Sequence, residues 1–239
     1  MIFSRLLRHM PSLCAVCQGW DSGPAARVCR ACVQRFADTS PRCTRCALEV
    51  PAGVATCGAC VLNPPPFDAA YAGAGYAHPW SGLVTRFKFS GALDLADALA
   101  ARVLAARQRD AAAWPQWLLP VPLAPERLRE RGFNQAWELA RRLAAASPAR
   151  ADARLLLRVR ATAHQLDLPP ERRAANVRGA FAVEPLRRGE LAGRHVALVD
   201  DVMTSGATLA ELARVLKQAG ATRVEAWVVA RTPRPTASA

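Results

Sequence analysis

The sequence predicts an α/β protein: a mostly parallel sheet flanked by helices, preceded by a small cysteine-rich module. Three observations carry this. All eight cysteines fall within the first 60 of 239 residues. Beyond them, apolar runs of strand length alternate with helix-length segments, the rhythm of βαβ units. Apolar residues make up 51% of the chain, enough to build a sizeable core.

The cysteines come as four pairs: Cys14-Ala-Val-Cys17, Cys29-Arg-Ala-Cys32, Cys43-Thr-Arg-Cys46 and Cys57-Gly-Ala-Cys60. A C-x-x-C turn aims two thiolates at one tetrahedral ion, and two turns close its shell, so the reading is a zinc-ribbon-like module with structural Zn. The simplest pairing is sequential, with Cys14, Cys17, Cys29 and Cys32 on one ion and Cys43, Cys46, Cys57 and Cys60 on another. An interleaved pairing, or a single occupied site, is also open at this point. A redox C-x-x-C needs a strand–helix unit beside it, and no pair has one. The opening MIFSRLLRHMPSLC lacks the long apolar core and small-residue cleavage site of a signal peptide. The chain is therefore expected in the cytoplasm with its thiols reduced, and no run is long enough to span a membrane.

The proline run Pro64-Pro65-Pro66 marks a boundary. Residues 1–66 are read as the zinc module, residues 67–232 as the larger domain and residues 233–239 as a disordered tail. Within the larger domain, Asp68–Tyr76 reads as a strand. Pro79–Phe89 and Leu93–Gln108 read as helices, and Trp117–Val121 as a strand closed by Pro122. Asn134–Ala146 has helical spacing in Trp137, Leu139, Ala140 and Leu143. Arg154–Arg158 reads as a strand and Pro169–Val177 as a short helix. His195–Val199 is an apolar strand. Ala207–Ala219 is a helix with Leu209, Leu212, Val215 and Leu216 on one face and Gly220 as its stop, and Arg223–Val229 is a further strand.

The segment His195–Leu212, HVALVDDVMTSGATLAEL, carries the chemistry. Asp200 and Asp201 sit at the carboxyl end of a strand, where parallel sheets bind ligands. The turn that follows feeds a helix N-terminus, whose free N–H groups favour an anion. Gly206 allows close backbone approach, and Thr204, Ser205 and Thr208 add hydroxyl donors. Carboxylates beside an anion cradle make sense if they accept hydrogen bonds from sugar hydroxyls. The stretch therefore suits a ribose 5-phosphate.

VDDVMTSGAT resembles the phosphoribosyl-pyrophosphate motif of type I phosphoribosyltransferases, and the wider chain resembles the ComF family. The resemblance runs through the four cysteine pairs, Pro64-Pro65-Pro66-Phe67-Asp68, Phe87-Lys88-Phe89-Ser90-Gly91 and Val121-Pro122-Leu123. It continues through Arg127-Leu-Arg-Glu-Arg-Gly-Phe-Asn-Gln135, Thr162 with Gln165, Glu171-Arg172 with Asn176, Arg178-Gly-Ala-Phe181, Gly220-Ala221 and Ala230-Arg231. Ser205 departs from the usual threonine but keeps the hydroxyl. The resemblance implies a type I phosphoribosyltransferase-like fold. It implies that Asp200 and Asp201 hold the ribose hydroxyls and that Val202, Met203, Thr204, Ser205, Gly206, Ala207 and Thr208 form the 5-phosphate loop. Lys88, Arg127, Arg129 and Arg131 are then assigned to pyrophosphate, with Mg²⁺ as its counterion. It also implies partners in the DNA-uptake machinery.

The formal charge is +13, almost wholly arginine, since Lys88 and Lys217 are the only lysines. Residues 1–66 carry seven Arg against three acids, and two Zn-tetrathiolate sites of charge −2 bring that segment to about zero. The working basicity therefore lies in the larger domain and favours a polyanion, either a phosphorylated small molecule or single-stranded nucleic acid. Arg127–Arg131 reads equally as a solvated face, and His195, at the start of an apolar strand, reads as structural. Three functions stay open: phosphoribosyl transfer to a nitrogen acceptor, a non-catalytic phosphoribosyl-pyrophosphate sensor or scaffold, and a strand-binding protein.

Overall fold

The computed structural model describes residues 13–20, 27–160 and 170–234, with backbone alone for residues 170–172. Thr162, His164, Gln165, His9 and most of the tail fall outside these. In the cysteine-rich segment, α1 (Arg30–Arg35) and α2 (Gly58–Leu62) are short helices that start at Cys29 and Cys57. The first strand, β1 (Ala69–Gly75), is followed by α3 (Trp80–Phe89), a 3₁₀ turn over Leu93–Leu95 and α4 (Ala96–Arg107). Then come β2 (Trp117–Pro120), α5 (Pro125–Arg131), α6 (Gln135–Ala145), β3 (Arg150–Ala151) and β4 (Leu156–Arg158). α7 (Pro170–Val177), β5 (Phe181–Val183), β6 (His195–Met203), α8 (Ala207–Gln218) and β7 (Arg223–Arg231) complete the chain.

Five strands form a sheet in the order β1-β7-β6-β2-β3, and every neighbouring pair is parallel. Alternation along the strands explains why both faces are covered. On β6, Val196 and Leu198 join Leu209, Leu212 and Leu216 of α8 in one core. Ala197 and Val199 join Leu83, Phe87, Leu99 and Leu139 from α3, α4 and α6 in the other. Gly73 of β1 permits the tightest contact, since a Cβ there would lie 2.8 Å from Arg102 Cβ on α4.

The strand at Arg154–Arg158 does not join this sheet. Its β4 portion pairs antiparallel with β5 as a separate two-stranded unit. The strand expected to end at Val199 runs on to Met203, because β7 pairs with it through Met203↔Arg231. The two aspartates therefore lie inside the strand.

The cysteine segment packs onto this frame. Cys14, Val28 and Cys32 share a core with Trp80 and Leu83, and Trp80 Nε1 donates to Phe36 O at 2.9 Å. The second cysteine cluster caps the free edge of the sheet: Ala70 N–H of β1 donates to Thr44 O at 3.0 Å, and Arg45 Nη1 donates to Asp68 O at 2.9 Å. That cover blunts an edge strand that would otherwise offer unpaired backbone.

Candidate active site

The carboxyl ends of β1, β2, β6 and β7 converge on a cavity of about 310 Å³ lined by Asp200, Asp201 and every residue from Val202 to Thr208. Consecutive residues of a strand face opposite ways. Asp201, 2% exposed, meets α3, where Lys88 Nζ lies 3.0 Å from its Oδ2. Asp200 is half-buried, and its Oδ1 accepts from Asp201 N–H at 2.9 Å. Burial and the neighbouring Asp201 charge push the Asp200 carboxyl well above the ordinary range. Burial opposes the Asp201 charge too, but Lys88, a hydrogen bond with Asp200 and the Val202 N–H together hold that carboxyl below its usual value. Lys88 is ion-paired with Asp201 and not with Asp200, and the Arg131 charge acts on both acids.

β6 hands over to α8 through Thr204–Gly206. Gly206 has φ 80°, a left-handed conformation that glycine adopts without strain. Ala207 N–H, at the start of the helix, points to Ser205 Oγ at 3.3 Å. The first turn of α8 carries no acidic side chain, so nothing competes for an anion there.

The arginines of α5 divide. Pro125 in the first turn and Gly132 in the left-handed conformation just past the end make this stretch a helix. Positions four apart share a face. Arg127 and Arg131 both line the cavity, and Arg131 Nη1 donates to Gln135 Oε1. Arg129 lies between them on the outer side, 76% exposed and 3.5 Å from Glu126, and it is not among the lining residues. Asn134 caps α6 by accepting from Ala136 N–H at 2.9 Å, and its Nδ2 donates to Val121 O at 3.1 Å, which ties this segment to the end of β2.

Tyr76, Phe89, Gln135, Arg158 and Thr232 also line the cavity. Phe89 and Gln135 belong to motifs already quoted. Tyr76, Arg158 and Thr232 had no local signal, because only the packing of segments far apart in the chain brings them together. The Phe89 ring sits under two cations, with Lys88 Nζ at 5.8 Å and Arg131 Cζ at 5.5 Å from its centroid. His195 lies at the opposite end of β6.

The eight thiols form two groups in the sequential pairing, with the sulfur atoms of each within 4.8 Å of one another and no disulfide among them. Zinc–sulfur bonds of about 2.3 Å imply a tetrahedral S···S edge of about 3.8 Å. Cys17–Cys29 and Cys46–Cys57 lie at 3.8 and 3.6 Å. Burial opposes ionisation of Cys14, yet the N–H groups of Cys29, Cys17 and Val16 bring its thiol down to about 6. Cys43 is brought to about 7 by Cys57, Cys46 and Arg45 in the same way. Both groups fit a structural zinc, and neither leaves an open position for chemistry.

A doubly covered parallel sheet whose central strand carries two carboxylates near its carboxyl end and leads through a hydroxyl-rich turn into a helix defines a phosphoribosyltransferase-type domain. The phosphoribosyl transferase domain family matches residues 131–238. The DNA utilization protein YhgH of Escherichia coli O6:H1 (strain CFT073) is 34% identical over 228 residues, covering 93% of this chain and 98% of that protein. Competence protein F of Haemophilus influenzae is 32% identical over 223 residues, covering 91% and 96%. The chain belongs to the ComF family. Among solved structures it is similar to a glutamine phosphoribosylpyrophosphate amidotransferase from B. subtilis, at 20% identity and a TM-score of 0.39, covering 60% of this chain and 30% of that one. Among the described residues no helix is long and apolar enough to cross a membrane.

Proposed function

We propose that the cavity binds phosphoribosyl pyrophosphate with Mg²⁺ and that the protein transfers the phosphoribosyl group to a nitrogen nucleophile. The observation that carries this reading is the adjacency of Asp200-Asp201 to a helix-entry loop rich in N–H and hydroxyl donors in one cavity. Asp200 and Asp201 accept from the ribose hydroxyls, and residues 204–208 donate to the 5-phosphate. Arg127 and Arg131 face the departing pyrophosphate, and Lys88 sets the charge of Asp201. Asp200 and Asp201 are the residues that would hold Mg²⁺, which when bound would neutralise charge on the departing pyrophosphate. The C1–O bond to pyrophosphate breaks, a C1–N bond forms, and the acceptor nitrogen gives up its proton. No covalent intermediate is needed, so catalysis reduces to positioning and charge stabilisation.

In this reading residues 1–66 are the zinc-stapled support, residues 67–232 the ligand-binding domain, and residues 233–239 a tail. The names of the relatives, DNA utilization protein and competence protein F, favour a role in handling incoming DNA in the cytoplasm, with proteins of that machinery as partners. A second reading, a single-stranded nucleic-acid-binding protein, is favoured by one feature: the exposed Arg129 on the outer side of α5.

Calorimetric titration with phosphoribosyl pyrophosphate and Mg²⁺, with Asp201→Asn in parallel, tests the main reading. Saturable binding that the variant loses supports it. No binding by zinc-loaded wild-type protein would overturn both transfer and sensing. Strand binding is distinguished by an affinity that falls steeply with salt and ignores the aspartates.

A further inference from the structure

We propose that the second cysteine cluster sets the geometry of the anion-binding loop, and that Arg231 is the positioning residue that couples them; this rests on the reading of residues 204–208 as an anion site. Arg231 is the last residue of β7 and is 6% exposed. Its guanidinium faces carbonyls from two sources. Nε donates to Cys46 O at 2.9 Å, and Nη1 donates to Met203 O at 2.9 Å, to Thr232 O at 3.0 Å and to Thr204 O. Cys46 belongs to the second thiol group, so a bound ion would fix the position of that carbonyl. Thr204 opens the loop whose residues line the cavity.

The planar fork of arginine explains why this residue type is used. Donors that diverge from one rigid plane hold two backbone segments at a set separation, whereas the three donors of an ammonium are compact and turn on a flexible stem. The cluster itself has a firm footing on the sheet. Ala47, beside Cys46, is fully buried in the core that contains Leu209 and Leu212, and Cys43 N–H donates to Leu48 O at 2.7 Å. A displaced Cys46 carbonyl would leave part of a buried charge unsatisfied, and the guanidinium would move and take Thr204 with it. The first cluster makes a different connection: it packs beneath α3, on the other face of the sheet. The two metal centres are therefore not equivalent toward the site.

The test uses the full-length, zinc-loaded protein. Affinity for phosphoribosyl pyrophosphate with Mg²⁺ is measured by calorimetry for wild type, Arg231→Met, Arg231→Lys, Cys57→Ser and the double variant Arg231→Met/Cys57→Ser. Hydrogen exchange is followed over residues 203–208 and over Val196–Val199 of β6. Arg231→Met is expected to weaken binding about tenfold or more, with only partial rescue by lysine. Exchange should quicken at 203–208 and stay unchanged in β6, with zinc content intact. Cys57→Ser should do the same to the loop, and the double variant should bind no worse than the weaker single one, because both break one route. Additive losses, unchanged affinity, or faster exchange in β6 alongside the loop would each overturn the coupling. Should Arg231→Met fail to fold, graded zinc removal from wild type reads the same loop exchange, and a loop indifferent to loss of the second ion overturns it. If wild type binds no ligand, the functional reading falls, while the exchange comparison still decides the coupling.

Discussion

β6 and β7 carry acidic side chains toward each end, and the two ends are built on opposite principles. At the amino end Glu225, fully buried, is saturated: Arg107 Nε at 3.1 Å, Trp227 Nε1 at 2.8 Å, Arg223 Nε at 3.2 Å and His195 Nε2 at 3.1 Å surround it. Arg107 is boxed in turn by the rings of Tyr71, Trp114 and Trp227 and donates to the carbonyls of Ala112 and Ala113. At the carboxyl end Lys88 is ion-paired with Asp201 but not with Asp200, beside an open cavity. A charge with every partner in place serves the fold, while a charge left short of partners and facing a cavity is available to a ligand.

The sharpest way to break this contrast is to spoil the saturated end. Glu225→Gln leaves Arg107 buried without a counter-charge and should cost about 3–5 kcal/mol, read as a fall in Tm. Burial opposes the Glu225 charge, but His195, Trp227 and Arg107 hold its folded pKa below the ordinary value. Its stabilisation is therefore complete above the unfolded carboxylate range, about pH 4.3, and is lost as pH falls through the lower folded value. The variant should flatten the acid limb of a stability–pH profile; a limb of unchanged slope would mean that Glu225 is not the group titrating there.

At the open end, effects should fall on binding rather than folding. Asp201→Asn should lose about a hundredfold in affinity for phosphoribosyl pyrophosphate, near 2.7 kcal/mol. Arg127→Ala should lose about tenfold, mostly with the pyrophosphate part of the ligand, so that ribose 5-phosphate binds almost as before. Asp200→Asn should raise Tm by an amount worth about 1 kcal/mol while removing binding. An acid whose folded pKa is raised, as Asp200's is by burial and Asp201, costs stability above its unfolded pKa, and the amide relieves that cost. A lower Tm would place Asp200 with the structural charges instead. The smallest change is Arg129→Ala, expected within about 0.5 kcal/mol in stability and neutral for phosphoribosyl pyrophosphate. A loss there equal to that of Arg127 would contradict the division of α5 into two faces.

Much of this was legible in the residues. The four C-x-x-C pairs, the order of strands and helices, and the loop Thr204–Thr208 follow from local chemistry, since metal ligands, apolar period and turn residues act over a few positions. Pro125 and Gly132 were an unread helix signal, and helical phase would then have separated Arg129 from Arg127 and Arg131. Arg154–Arg158 shows the limit: a strand-like run states that it will pair, not with which edge, and β4 found β5 instead of the main sheet.

The sequence by itself determined four C-x-x-C thiol pairs, an α/β rhythm and an acidic pair leading into an anion-binding turn, because each is encoded within one stretch of chain. Only the tertiary structure decided that β6 continues through the acids, that Lys88 meets Asp201, that Tyr76, Arg158 and Thr232 share the cavity, and that Arg231 joins Cys46 to Thr204. Those contacts link residues far apart in the chain. Their geometry is set by strand register and by burial of a common core, which no single segment contains.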